Sequence, residues 1–488
     1  MLEIFSAFIN CVSFLFLFFR SFFSSLFFVV FHMVDDFSLV VDFVLEKMSE
    51  TRIPGLAISI VENDEVVFAR GFGFRDIGSG ALVGSGTLFG IGSVTKSFTA
   101  LAIMKLVERG LISLDDPVDK FVSLGVKPFG ENITIHHLLT HSSGLPALAY
   151  AEAFIRGVLG LDDCWLPITH HEDIVSFMKG CEDWVVSRPG ERFFYLNEGY
   201  VLLGYIISKV SGKRYEEFVR DEILRHLGMN RTFFTREEIE NDGNWATPYV
   251  IDRENKHVPS SFPFGISADG GLISNVLDLT NYLRMYINRG EFNGVRIVDN
   301  EFIELMEREY IKLPYELIGG ESYGYGWSVV PNFHGYKLVD HSGSVLVHTA
   351  YIGYIPEKRI GVAILANASG YSLSHMGKYV LTYMLGKDPE ELEFIKMDRI
   401  LNKLQGVYKT FKGTMKLHIK RNGDFLMAIT KDRLTETSVP LVPVKFEDDY
   451  VEFFTFIRGA KLKVEFVIKE DKIELLYERY KLIKEQMV

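Results

Sequence analysis

Thr87-Leu88-Phe89-Gly90-Ile91-Gly92-Ser93-Val94-Thr95-Lys96-Ser97-Phe98-Thr99-Ala100-Leu101 is the stretch on which the reading of this chain turns. Thr87 to Ser93 is short, apolar and strand-like. From Ser97 to Arg109 the apolar residues fall at helical spacing, and Gly110 is placed to end that helix. Ser93 and Lys96, three residues apart at the junction, share one helical turn and face one cavity. A serine hydroxyl is a poor nucleophile until a base takes its proton. A lysine can serve only if burial or a neighbouring cation lowers its pKa from about 10.4. Backbone N–H groups at the start of the helix can help hold an oxyanion beside Ser93. Alone, Ser-x-x-Lys is a weak signal that chance supplies on many helices.

Two further groups sharpen it. Tyr195-Leu196-Asn197 follows Pro189-Gly190-Glu191-Arg192 where a helix begins, so a phenol and an amide can both project from a loop. The phenol can shuttle a proton between Ser93 and a leaving group. The Asn197 amide can donate to an acyl carbonyl and accept from Lys96. His341-Ser342-Gly343-Ser344 ends a strand-like run, where Gly343 lets a substrate backbone pair against the strand and the Ser344 N–H can be a second oxyanion donor.

In that order and at those separations, Ser-x-x-Lys, Tyr-x-Asn and His-x-Gly resemble the serine β-lactamase and penicillin-binding-protein superfamily, in its class C, CubicO-type branch. Ile133 to Leu145, Gly204 with Ser211-Gly212-Lys213, Leu227-Gly228-Met229 and Ala268 to Leu272 look like further landmarks, so the resemblance runs from Asp35 to Met384. It implies an α+β fold, an antiparallel sheet with a helical subdomain. It implies that Ser93 is the nucleophile, that Lys96 and Tyr195 share the base role and that Asn197 orients substrate. His341 stands in for a commoner lysine, with Gly343 and Ser344 at the substrate edge. Leu196 stands where serine is usual, and histidine is a weaker carboxylate anchor than lysine at neutral pH. Efficient β-lactam hydrolysis is therefore not expected.

Downstream, Gly386-Lys387-Asp388-Pro389 breaks the chain, Glu390 to Leu404 reads as a charged connecting helix, and seven short strand-like runs follow Gly406. Asn422-Gly423 is a type I′ hairpin signal, and the regular spacing suggests a small antiparallel barrel or sandwich. The expected domains are residues 35–387, a linker at 388–404 and a barrel at 405–488. A class C-like domain followed by a lipocalin-like barrel is similar to the layout of D-aminopeptidases and archaeal CubicO peptidases. That resemblance implies a serine peptidase or amidohydrolase acting on short peptides or amino-acid amides, with D-residues a candidate preference. An esterase or β-lactamase is the alternative enzyme. A noncatalytic peptide-binding receptor is the alternative of another class, and Tyr195, which equips the chain for deacylation, argues against it. An appended barrel can wall the cleft or pair subunits, which leaves room for a homo-oligomer.

The 488 residues, 48% hydrophobic and 24% charged, are globular in balance. A formal charge of −12 offers no footprint for a phosphate backbone, so nucleic acid is not an expected partner. Cys11, Cys164 and Cys181 make neither a disulfide scaffold nor a zinc cage, and one Cys164 to Cys181 bond is the pairing left open. His137 and His141 lack a third ligand at metal spacing, and the family resemblance makes His141 structural. Gly71-x-Gly73 lacks the third glycine of a dinucleotide loop, so no cofactor is implied. His170 and His171 read as a solvated helix start and Arg192 as a surface arginine. Tyr323, Tyr325 and Trp327 fit cleft or core equally. Residues 1–34 differ from the rest: eleven of the 40 phenylalanines lie there, and Arg20 interrupts the apolar run. A misassigned start with Met33 or Met48 as the true beginning, a membrane anchor and a cleaved signal all stay open. The compartment follows from that choice: cytoplasmic for the first, membrane-anchored or exported otherwise.

Overall fold

The computed structural model describes residues 37–485 except 164, 165, 167, 169 and 266. The three readings of residues 1–34 and Cys164 lie outside the described residues, as do Asp35 and Asp36, which the sequence offers as the cap of a helix running to Glu50; the cap position of that helix is instead Phe37, with no side-chain cap bond. Cys181 carries a buried free thiol. Among the described residues no helix is long and apolar enough to cross a membrane. The chain divides into two compact units between Lys387 and Asp388.

The first unit is built on a nine-stranded sheet of distant segments. Its strand order is Ile311–Lys312, Ser322–Tyr323, Ser328–Phe333, Tyr336–Ser344, Thr349–Ile355, Ile360–Ala366, Gly55–Glu62, Glu65–Asp76 and Ala81–Leu82, each neighbour antiparallel. Gly55–Glu62 lies between the last segment of the sheet and its own hairpin partner, with Leu56 opposite Ala366 and Phe72. It is buried on both faces, which is why it reads as an unbroken apolar run rather than an alternation. On one face the Ser59 hydroxyl donates to the Val276 carbonyl at 2.9 Å, so Ala57, Ser59 and Val61 look toward the helix Val276–Ile287. Alternation turns Leu56, Ile58 and Ile60 to the other face. There the helix Leu373–Met384 presses Gly377 against Tyr351, and its Tyr379 stacks on Phe43 of the helix Ser38–Thr51 at 3.7 Å.

The sheet and the helical layer meet at Ser93. A short 3-10 turn, Gly92–Val94, feeds the helix Thr95–Glu108, whose residues from Thr95 to Leu106 are all buried. Such a helix lacks a polar face because it is packed on every side. Two glycines permit the approach of the strand Tyr336–Ser344 to this turn. A side chain at Gly92 (φ +52°) would stand 2.7 Å from the Ser344 nitrogen, and one at Gly343 would stand 2.0 Å from the Ile91 oxygen. The helix Asn197–Ser211 ends at Gly212 in the left-handed region, where a glycine after the apolar run Val201 to Val210 marks a helix end. The sequence suggests one helix from Tyr215 to Leu227, closed by Gly228; the structure has instead an α-helix to Val219 followed by a π-helical segment, Arg220–Leu224. The sequence suggests strand structure from Gly324, but Gly324 to Trp327 is the turn that joins Ser322–Tyr323 to Ser328–Phe333: the Gly324 N–H donates to the Trp327 carbonyl at 2.8 Å and Gly326 has a φ of +73°.

The second unit is a closed barrel of eight antiparallel strands, from Gly406–Lys409 to Tyr480–Lys484. The eighth strand, absent from the sequence-based expectation, buries one side chain fully, Leu482, and closes the barrel by pairing with the first. The helix Glu393–Leu404 contributes Leu401 and Leu404 to the barrel's own core. It therefore packs as part of this unit, not as a bare connector. Asn422 pairs with Phe425, so the central turn residues are Gly423 and Asp424, and only Gly423 has positive φ. That pattern is type II′, not the type I′ expected from Asn-Gly, because the register slips the glycine to the first central position.

Candidate active site

Lys96 is fully buried and its ammonium spends all three protons within the protein. They go to Ser93 Oγ at 3.1 Å, Asn197 Oδ1 at 2.8 Å and the Asp269 carbonyl at 2.7 Å. Burial pulls its pKa from 10.5 to about 8, against the opposing pull of Asp269, Glu152 and Glu198. Nζ also stands 4.8 Å from the centre of the Tyr195 ring and 5.5 Å from that of Tyr200. These rings hold a cation without supplying a carboxylate that would fix its proton. At pH 7 about a tenth of such amines are neutral, against about 0.03% at the ordinary value, so the site can draw a proton from Ser93. Burial raises the Tyr195 phenol well above its ordinary range, and a hydrogen bond with Ser93 offsets part of the rise. Tyr195 thus keeps its proton in the resting site and is suited to relay it.

The loop before Asn197 is set by His141. The Leu196 N–H donates to His141 Nδ1 at 2.9 Å, and the imidazole stacks on Tyr195 at 4.2 Å. The flanking backbone is paired as well, Phe194 N–H to the His141 carbonyl at 2.8 Å and Gly190 N–H to that of Ser142 at 2.7 Å. Burial, with Lys96 and His341 nearby, holds His141 well below the ordinary histidine range, so it is neutral with its proton on Nε2. Leu196 is buried, so the position expected to carry serine brings no hydroxyl to the cleft. His137 caps a helix: its Nδ1 accepts the Thr134 N–H and closes a capping box. Among the described residues no cluster of three or more histidine, cysteine, aspartate or glutamate side chains could hold a metal ion.

His341 departs from the expected anchor role. Its Nδ1–H donates to the Ser342 carbonyl at 2.6 Å and its Nε2 accepts the Tyr323 hydroxyl at 2.9 Å. Burial and Lys96 bring it down to about 4. It is a neutral, doubly engaged ring that fixes the strand and Tyr323, with no N–H left for a substrate carboxylate. Gly343 and Ser344 line the cleft on the same strand.

The cleft has a volume of about 780 Å³ and brings Ser93, Tyr195, Asn197, His341, Gly343 and Ser344 onto one surface, over the buried Lys96. Two features escaped the sequence, the role of Asp269 within the Ala268 to Leu272 landmark and a buried ion pair. Asp269 lines the cleft beside its own carbonyl contact to Lys96. Asp340 and Lys378 form a buried ion pair at 2.5 Å in the wall, with Tyr351 donating to Asp340 at 2.9 Å. These groups come from a turn, a strand and a helix with no shared spacing, and only the fold brings them together. Tyr323 faces the cleft, while Trp327 is core and Tyr325 donates or accepts at His136 Nδ1, 2.8 Å away. Arg192 is exposed over Phe194, as expected. His171 is not the solvated residue expected, since it is half-buried with Nε2 at 2.9 Å from Ser267 Oγ.

Residues 40–380 match the beta-lactamase family, and residues 389–483 match the Pab87 octamerisation domain. The chain is 26% identical to Protein flp of Staphylococcus aureus (strain MW2) over 361 residues, 72% of this chain and 68% of that protein. It is 26% identical to penicillin-binding protein 4* of Bacillus subtilis (strain 168) over 456 residues, 89% of this chain and 95% of that protein. Among solved structures, the octameric penicillin-binding protein homologue from Pyrococcus abyssi superposes with a TM-score of 0.88 at 53% identity, covering 91% of this chain and 99% of that one. A class C beta-lactamase superposes at 0.58 with 20% identity, covering 71% and 96%, and shows the shared fold.

Proposed function

The chain belongs to the beta-lactamase family of penicillin-binding-protein-like serine hydrolases, and from that premise we propose a serine peptidase or amidohydrolase that works through an acyl-enzyme. The observation that carries this reading is the buried Lys96 ammonium, lowered to about 8 and donating to Ser93 Oγ. Neutral Lys96 takes the Ser93 proton as Oγ attacks the carbonyl. The Ser93 and Ser344 N–H groups receive the oxyanion, and Asn197 orients the acyl group. Tyr195 passes the proton to the departing amine, and water then releases the acyl group by the reverse relay.

Short peptides and amino-acid amides are the substrate class, D-residues the candidate preference. A neutral His341 and a Lys378 already paired with Asp340 offer little to the carboxylate of a β-lactam, which favours this class over β-lactams. We further propose that residues 388–488 make the protein a homo-oligomer, on the strength of the octamerisation-domain match and the octameric Pyrococcus abyssi homologue. Deleting them should lower the mass in solution, and an unchanged mass would remove that claim.

The test of the nucleophile is intact mass after a fluorophosphonate, with one adduct on the wild type and none on Ser93→Ala. An adduct on the variant overturns the assignment. p-Nitrophenyl esters, a cephalosporin, and D- and L-amino-acid amides assayed side by side decide the substrate class. Faster turnover of the esters or the cephalosporin than of every amide would overturn the peptidase reading.

A further inference from the structure

Glu198 follows Asn197 in the first turn of the helix Asn197–Ser211 and is wholly shielded from solvent. A glutamate there complements the helix dipole, yet one serving only that purpose could stay in water. Glu198 turns inward instead. Its Oε1 accepts the N–H of Tyr150, the first residue of the helix Tyr150–Val158, at 3.2 Å, and its Oε2 has no hydrogen-bond partner among the described residues. Tyr150 gives its hydroxyl proton to Asp269 Oδ2 at 2.6 Å, and Asp269 Oδ1 is likewise buried without a partner. The carbonyl of Asp269 receives Lys96. Two buried carboxyls are thus tied to one tyrosine, and the residue beside Glu198 in sequence, Asn197, is itself a ligand of the lysine.

We propose that Glu198 is a positioning residue for the base, a buried carboxyl whose charge sets how readily Lys96 gives up its proton. The proposal rests on the reading of Lys96 as base. Tyr150 contacts Glu198 directly, and the titratable groups within its electrostatic reach are Lys96 from the helix Thr95–Glu108, Glu152 from the helix Tyr150–Val158, Cys181 from the turn Cys181–Trp184, and Asp269. Lys96 is the cation in that set. Burial lifts the Glu198 carboxyl to about 7, with Glu152 and Asp269 adding to the rise, while burial lowers Lys96 to about 8. Both groups therefore change charge over neighbouring pH ranges. Ionised Glu198 favours the ammonium, and a neutral Lys96 makes the carboxyl harder to ionise. Losing one proton opposes losing the other, so the transition is spread over a wider range than a lone group's.

The test is the pH dependence of Ser93 phosphonylation by a fluorophosphonate, in which Oγ displaces fluoride from phosphorus, in the full-length wild type and in Glu198→Gln. Glutamine keeps an oxygen for the Tyr150 N–H and removes the charge. The rising limb of the variant should lie roughly half a pH unit lower, making phosphonylation on that limb about threefold faster, with the slope of a single proton. The wild-type limb should be shallower. An adduct with an unshifted limb overturns this proposal alone and leaves Glu198 as a helix anchor. No adduct at any pH overturns the reading of Ser93 and Lys96, and this proposal with it. Should Glu198→Gln not fold, the wild-type profile decides: a one-proton slope overturns the proposal and a spread one supports it.

Discussion

Asn197→Asp probes the base directly, because Asn197 Oδ1 lies 2.8 Å from Lys96 Nζ. The substitution is nearly isosteric and adds a full negative charge at that contact. At an effective dielectric of about 20, a unit pair about 4 Å apart gains about 4 kcal/mol, or about three pKa units at about 1.4 kcal/mol each. That is as large as the whole depression that burial imposes on Lys96, from 10.5 to about 8. The sign follows from which form is active. Acylation needs neutral Lys96, so its rate rises with pH through the lysine pKa, and the added carboxylate moves this rise from about pH 8 to about pH 11. At pH 7 the neutral fraction drops from about one in ten to about one in ten thousand. The second-order rate of fluorophosphonate inactivation, corrected for reagent hydrolysis, should then fall by on the order of 10³-fold at pH 7 and recover as the pH approaches 11. An equal loss at every pH would mean that Asn197 matters for orientation only. An unmoved limb would refute the claim that Lys96 is the base.

Three further outcomes follow from the geometry. Tyr195→Phe should lower kcat by about 10²- to 10⁴-fold without changing the melting temperature by more than a few degrees, since only the relay hydroxyl is lost; retained turnover would show that Lys96 carries both proton transfers. Gly343→Ala places a carbon 2.0 Å from the Ile91 oxygen and 2.9 Å from the Ser93 nitrogen, so denaturant titration should show a loss of about 1–3 kcal/mol together with slower acylation. Lys378→Met strands Asp340 in the wall of the cleft and should cost about 3–5 kcal/mol, whereas Lys378→Met with Asp340→Asn should recover part of it; an additive double variant would show that the pair is uncoupled.

The local elements were legible because their signals are local. Thr349–Ile355 and Gly55–Glu62 are continuous apolar runs bounded by turn residues, and Gly212 announces the end of its helix. The barrel's strands were legible for the same reason except Tyr480–Lys484, whose single fully buried side chain makes too weak an alternation. The π-helical break at Arg220–Leu224 left no mark, since every residue in it also suits an α-helix.

The sequence alone determined which chemical groups this protein carries and in what order, because Ser93 and Lys96 share one turn and Tyr195 and Asn197 one loop, arrangements fixed by covalent spacing. It also determined the antiparallel, two-unit plan, through apolar runs separated by turn residues and a break before Pro389. Tertiary structure decided what state those groups are in. Burial lowers the Lys96 ammonium to about 8 and leaves His341 neutral and bound on both nitrogens, and the fold gathers Asp269, Glu198 and the Asp340–Lys378 pair around one site from unrelated segments. Charge state and proximity depend on what surrounds a side chain after folding, and no spacing along the chain encodes that.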